Sequence, residues 1–133
     1  MPSPVSIDRI GVLLIGLAAW PVAWAAHQML GLSLVIASPR DALAFFLLGP
    51  ILEEWLLRHE LQRGLTRRLQ RPHLANSLCA LVFALLHWPG HGNEAWLWLI
   101  PGLALGELWR RRQSLLLNIL MHAWLNMSLW LVS

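Results

Sequence analysis

Three short polar constellations interrupt segments of this chain that are otherwise apolar: Glu53-Glu54-Trp55-Leu56-Leu57-Arg58, Phe83-Ala84-Leu85-Leu86-His87 and His122-Ala123-Trp124-Leu125-Asn126. A charged side chain at the centre of a membrane helix costs about 2.5 kcal/mol or more on insertion scales, so several of them together call for a chemical reason. Neighbouring helical residues point about 100° apart, whereas residues four apart share a face. Glu54 and Arg58 are therefore placed to pair. Glu53 is left pointing elsewhere, and a carboxylate in a low-dielectric bundle is a candidate general base. Gly49 and Pro50, one turn earlier, allow close approach and a kink that opens space beside it. The structural alternative is that both glutamates form salt bridges with Arg58 and Arg63.

His87 stands at the end of its apolar segment, one turn beyond Phe83. Taken alone, a histidine near a helix end is more often an interfacial residue than a catalyst. His122 and Asn126 are also four apart, so an imidazole and an amide share one face in the middle of an apolar helix. Both can donate hydrogen bonds to an oxygen that becomes negative in a tetrahedral intermediate, the work of an oxyanion hole. A polar clamp between membrane helices is the alternative.

The composition sets these groups in a membrane. Of the 133 residues, 57% are hydrophobic and only 13% charged, and the mean hydropathy is +0.55. Those values lie outside the soluble globular range. Ten basic against seven acidic residues fit cytoplasmic loops of a membrane protein more simply than nucleic-acid binding, and no nucleic-acid partner is expected. The chain has nine Trp and no Lys, a bias that fits a GC-rich bacterial genome and hence the bacterial inner membrane. The single Cys79 excludes an internal disulfide and a cysteine-based metal site.

Five spans follow from the apolar runs. Ile10 to Leu30 is one bilayer length. A signal peptide is its rival, because Ala23-Trp24-Ala25 before Ala26 loosely fits a cleavage site. Gly31 to Pro39 is a short apolar link, and Ser38-Pro39 opens a second long helix near Arg40 that turns amphipathic through Glu60, Arg63, Arg67, Arg68 and Arg71 and stops at Pro72. Leu74 to Trp88 is the third span, ended by the breaker Pro89-Gly90-His91-Gly92-Asn93. Ala95 to Trp109, kinked at Pro101-Gly102, is the fourth, and Leu115 to Val132 the fifth. The expected architecture is an all-α, polytopic transmembrane helical bundle forming a single domain over residues 1–133. Placing Arg9, Arg63 to Arg71 and Arg110 to Arg112 inside gives an N-in/C-out orientation. Trp88, Trp96, Trp98 and Trp130 then lie towards the outer interface and Trp109 towards the inner one. At about 1.5 Å rise per residue, His87 and Asn126 fall in the outer half and Glu53 about halfway, so a cavity opening outward is expected.

Glu-Glu-x-x-x-Arg, Phe-x-x-x-His and His-x-x-x-Asn, in that order on successive membrane helices, resemble the three motifs of the CPBP intramembrane glutamic endopeptidases, the group that includes the CAAX prenyl endopeptidase of the Rce1 type. The resemblance runs from Gly49 to Asn126. It implies that Glu53 is the catalytic glutamate, that His87 helps it activate a water, that His122 and Asn126 stabilise the oxyanion, and that Glu54 and Arg58 form a supporting ion pair. It implies no metal and no cofactor. The implied partners are the lipid bilayer and a membrane-anchored protein or peptide substrate. CAAX-processing members commonly have around eight spans, so the helices that would shape a prenyl-cysteine pocket are not expected here. In size the chain resembles the small bacterial members associated with C-terminal protein sorting, such as the JDVT-CTERM system, in which cleavage falls near a C-terminal anchor.

Two other readings stay open at this level. Glu53, His87 and His122 resemble a two-His-one-carboxylate zinc site, which would make the chain a zinc-dependent protease. His87 and His91 have helical spacing, but Pro89 and Gly90 between them argue against a ligand pair. A non-enzymatic membrane scaffold or immunity-like protein is the second alternative. The arginine clusters serve topology or bind anionic lipid headgroups.

Overall fold

Every regular element among the described residues, 4–31 and 36–133 of this computed structural model, is helical, with no strand. Helix α1 is Pro4–Leu30, α2 Pro39–Leu43, α3 Gly49–Glu54, α4 Arg63–Leu69, α5 Pro72–His91, α6 Leu99–Arg112 and α7 Leu115–Val132. Arg9–Leu30 and Leu115–Val132 are long and apolar enough to cross a membrane. The three other expected spans fall in shorter pieces or, for α5, in a less apolar helix. Residues 32–35 of the expected link lie outside the described residues.

The expected second helix is helical from 39 to 69, but its backbone is not uniform. The segments Ala44–Leu48 and Trp55–Gln62 are π-helical and flank α3 on both sides. Such i→i+5 stretches are rare and gather at functional sites. Pro50 explains part of this, since it has no N–H to donate to the preceding turn. The helix starts where Ser38 and Pro39 place it: the Ser38 hydroxyl accepts the Asp41 N–H at 3.2 Å and proline occupies the first turn.

The chain divides into two compact units, Met1–Leu52 with Ile119–Ser133, and Glu53–Asn118. In the first, a stripe of small residues on α1, Gly16, Ala19 and Ala23, lets α7 approach. Ala19 and Ala23 are buried, Met121 lies against Gly16, and the Trp124 indole donates to the Gly16 carbonyl at 2.9 Å. Small residues matter here because lipid removes the hydrophobic drive between helices and leaves van der Waals packing and hydrogen bonds.

The second unit is built around α6. Gly102 and Gly106 lie four apart on it, and a β-carbon at Gly102 would meet Phe83 at 3.1 Å and Ala80 at 3.2 Å. One at Gly106 would fall on Asn76 Oδ1. The α6 numbering rises as the α5 numbering falls, so these two helices run antiparallel. Arg58 donates to the Gly102 carbonyl and Gln62 to the Gly106 carbonyl, both at an offset of 44 residues, so the Trp55–Gln62 segment runs parallel to α6. Asn76 adds a third bond, to the Leu103 carbonyl at 3.1 Å. Three side chains from two neighbours are thus seated on the α6 backbone.

Gly106→Ala is expected to destabilise the unit by about 1–3 kcal/mol, the usual cost of overpacking a close contact. The measurement is the thermal midpoint of the detergent-solubilised protein. Shortening the neighbour in the double variant Gly106→Ala/Asn76→Ala should recover part of the loss, and a single variant as stable as wild type would refute the close-approach account.

Two expectations need correcting. Pro89-Gly90 does not end the third helix, because α5 continues to His91. Proline near the end of a helix removes one bond without stopping the turn, and the helix closes when the Gly92 N–H returns to the Trp88 carbonyl with Gly92 at φ +55°. Pro101 does not kink the middle of a helix either: residues Gly92–Trp98 form a 3₁₀ segment and α6 begins only at Leu99. Pro101 is then its third residue, where no intrahelical N–H partner is required. Trp109 is buried core, with its ring edge-on to His59 at 6.1 Å.

Candidate active site

The most deeply buried polar groups of the second unit surround the first motif. Glu54 and Arg58 have fully buried side chains, and Arg58 Nε lies 3.2 Å from Glu54 Oε2. This is the four-residue pairing that the spacing predicts, preserved although Arg58 sits in the π-helical segment. A buried pair is tolerable only when its remaining donors and acceptors are also engaged. Here that holds in part: Arg58 Nη2 reaches the Gly102 carbonyl at 3.1 Å, while Nη1 is buried with no hydrogen-bond partner among the described residues. Asn118 Nδ2 donates to Glu54 Oε2 at 3.0 Å and to the Leu105 carbonyl at 2.8 Å.

Glu53, the residue before Glu54, is half-buried where α3 gives way to the π-helical segment. Arg63 is exposed, with Nη1 3.3 Å from His59 Nε2.

His87 is half-buried on α5 in the same unit. Its Nδ1 lies 2.8 Å from the Phe83 carbonyl oxygen. A carbonyl can only accept, so Nδ1 carries the proton and the lone pair of the neutral ring sits on Nε2. The Phe83 ring packs 4.6 Å from the His87 ring and carries the Arg58 guanidinium 5.8 Å from its centroid, within cation–π range. Phe83 therefore touches both the supporting arginine and the histidine, which gives the phenylalanine of the second motif a packing role. Trp98 stands edge-on to His87 at 5.3 Å and to His91 at 5.0 Å. Because α5 runs on through Pro89, His87 and His91 do share a face, their rings stacked at 6.2 Å.

His122 and Asn126 belong to the first unit. His122 is buried on α7. Asn126 is half-buried, and its Nδ2 donates to the Phe45 carbonyl at 2.9 Å, in the π-helical segment Ala44–Leu48. One amide hydrogen thus ties two helices together, as in the clamp reading, and the second hydrogen of the same nitrogen is left for another acceptor.

Sequence reasoning passes over Gln62, Asn76 and Asn118. All three are buried amides that donate to main-chain carbonyls of α6. For Gln62 the signal is its four-residue spacing from Arg58, matched by that of Gly102 and Gly106; Asn76 and Asn118 carry no such signal.

An apolar chain, helical in every regular element among its described residues, whose second unit holds a buried ion pair, a half-buried carboxylate and an oriented imidazole has the makeup of a membrane-embedded enzyme. Residues 36–128 match the family model described as type II CAAX prenyl endopeptidase Rce1-like, and the chain belongs to that family. It is a family of membrane-embedded proteases, which implies a protein substrate in a membrane. No curated protein and no solved structure gave a significant match.

Proposed function

We propose that this protein is a glutamic-type intramembrane endopeptidase that hydrolyses a peptide bond of a membrane-anchored substrate near a C-terminal anchor. The observation that carries the reading is the orientation of His87: with Nδ1 donating to Phe83, Nε2 is the nitrogen that can accept a proton from water. Glu53 is in the same unit, within the family-matched region.

In this mechanism Glu53, aided by His87, takes a proton from water. The water oxygen bonds to the scissile carbonyl carbon, and His122 with Asn126 donates to the oxygen that becomes negative. Collapse of the intermediate breaks the C–N bond, and the proton held by the glutamate and histidine passes to the leaving nitrogen. No covalent enzyme intermediate and no metal or other cofactor enters. The ion pair of Glu54 and Arg58 supports the helix end that bears Glu53.

The bundle is read as one protease domain of five spans in the bacterial inner membrane, N-in/C-out, with a cavity opening outward. The parallel run of Trp55–Gln62 with α6, and the antiparallel run of α5, support the alternating order of spans two to four. The two inner arginine turns serve that topology. In the second of them, Glu107 binds both Arg110 and Arg111 at 2.6 Å.

The test is cleavage of a co-expressed, C-terminally anchored substrate by wild type and Glu53→Gln, each with and without a zinc chelator. Cleavage that needs Glu53 and ignores the chelator supports the proposal. Cleavage that the chelator stops points to the zinc alternative, and equal cleavage by well-expressed Glu53→Gln removes Glu53 as the base.

A further inference from the structure

We infer that Asn118 is a positioning residue for the catalytic helix end, a deepening that rests on the reading of Glu53 as base. The inference starts from the chemistry of a primary amide. Nδ2 carries two hydrogens, and in Asn118 both are used: one on Glu54 Oε2 at 3.0 Å, the other on the Leu105 carbonyl at 2.8 Å. The residue is completely buried, so water does not compete for either bond. Asn118 lies in the first turn of α7, Glu54 ends α3 and Leu105 is on α6. A single nitrogen therefore joins three helices.

Glu54 Oε2 receives two donors, Asn118 Nδ2 and Arg58 Nε. Each is itself bound to α6, Asn118 through Leu105 and Arg58 through Gly102. The Glu54 carboxylate is thus fixed to α6 by two separate routes. Glu53 is its neighbour through one planar peptide bond, so the position of the Glu53 backbone follows that of Glu54. Hydrogen bonds to a charged acceptor are stronger and more directional than neutral ones, which suits them to hold a carboxylate in place. An aspartate here would set a second acid against Glu54, and a leucine would keep the volume but supply no donor. Only an amide of this length serves both acceptors from one atom. Asn118 also stands one turn before His122, which extends the third motif to Asn-x-x-x-His-x-x-x-Asn along α7.

The experiment compares Asn118→Leu and Asn118→Ala with Asn76→Leu in the full-length, membrane-embedded protein. Asn76 is the matched control: it is also a buried amide bonded to an α6 carbonyl, that of Leu103, but its amide nitrogen serves Leu103 rather than Glu54. Two readouts are taken, cleavage kinetics and labelling of Glu54 by the apolar reagent dicyclohexylcarbodiimide, located by mass spectrometry. Both Asn118 variants should lose about tenfold or more in kcat, the scale of one charged hydrogen bond, with KM little changed. Glu54 labelling should rise severalfold in both. Asn76→Leu crowds Gly106 but leaves the donor to Glu54 in place, so its Glu54 labelling should stay near wild type. Agreement between the leucine and alanine variants separates the lost donor from added bulk. Wild-type kcat and wild-type Glu54 protection in both Asn118 variants would overturn the inference, as would an equal rise of Glu54 labelling in Asn76→Leu. The labelling arm needs no turnover, so it decides the role of Asn118 even if Glu53→Gln cleaves normally and the catalytic reading itself fails.

Discussion

Glu53→Gln lowers kcat by about 10²- to 10⁴-fold and leaves KM nearly unchanged, the range expected when a positioned general base is replaced by an isostere that cannot take a proton. The glutamine keeps the length and shape of the side chain, so substrate docking is undisturbed. Because Glu53 is only half-buried and glutamine is its isostere, the fold should tolerate the change. The thermal midpoint of the purified variant checks this. Glu53→Asp is the informative companion: it retains the base but withdraws the carboxylate by one methylene, and a misplacement of that order costs about 10²-fold. A ranking of wild type, then Asp, then Gln in kcat is the expected result. If Asp proves as poor as Gln while both fold, geometry rather than basicity limits the rate; if Gln matches wild type, another group activates the water.

The parts of the site carried by side-chain spacing are legible in the sequence itself. Glu54 and Arg58 are four apart, and their pairing needs only helical geometry, which the π-helical turn does not disturb. The long apolar runs of α1 and α7 are equally legible, because a bilayer length of apolar residues has few other readings. What escapes is carried by main chain. Arg58, Gln62, Asn76 and Asn118 all bind carbonyls of α6, and a carbonyl has no residue identity to be read. Asn76 and Asn118 interrupt apolar helices singly and leave no periodic trace. Pro89 misleads for a related reason: a breaker is judged by residue type, yet its cost depends on where the helix ends, and α5 ends only two residues later. The π-helical turns have no sequence marker beyond Pro50.

Arg58→Met should cost about 3–5 kcal/mol, because removing one member of a buried pair strands the other charge in a low-dielectric interior. Glu54 is completely buried, and the Asn118 amide, which is neutral, does not replace the charge of the lost guanidinium. The same change removes the bond to the Gly102 carbonyl and the contact over the Phe83 ring, whose neighbour is His87. Unfolding followed by the fluorescence of the nine tryptophans in detergent gives the midpoint. Arg58→Lys should fall between, since a lysine keeps the charge but cannot serve Glu54 through Nε and Gly102 through Nη2 in one planar fork. Glu54→Gln/Arg58→Met removes both charges and should recover much of the loss, leaving Asn118 hydrogen-bonded to an amide oxygen. That recovery separates an uncompensated charge from simple loss of packing: if the double variant is less stable than Arg58→Met alone, the arginine acts through its contacts with α6 and Phe83 rather than through Glu54. Cleavage by the double variant then bears on the site as well as on the fold. With the bundle restored but the carboxylate of residue 54 gone, any activity that remains measures how far Glu53 depends on its neighbour's charge rather than on its position.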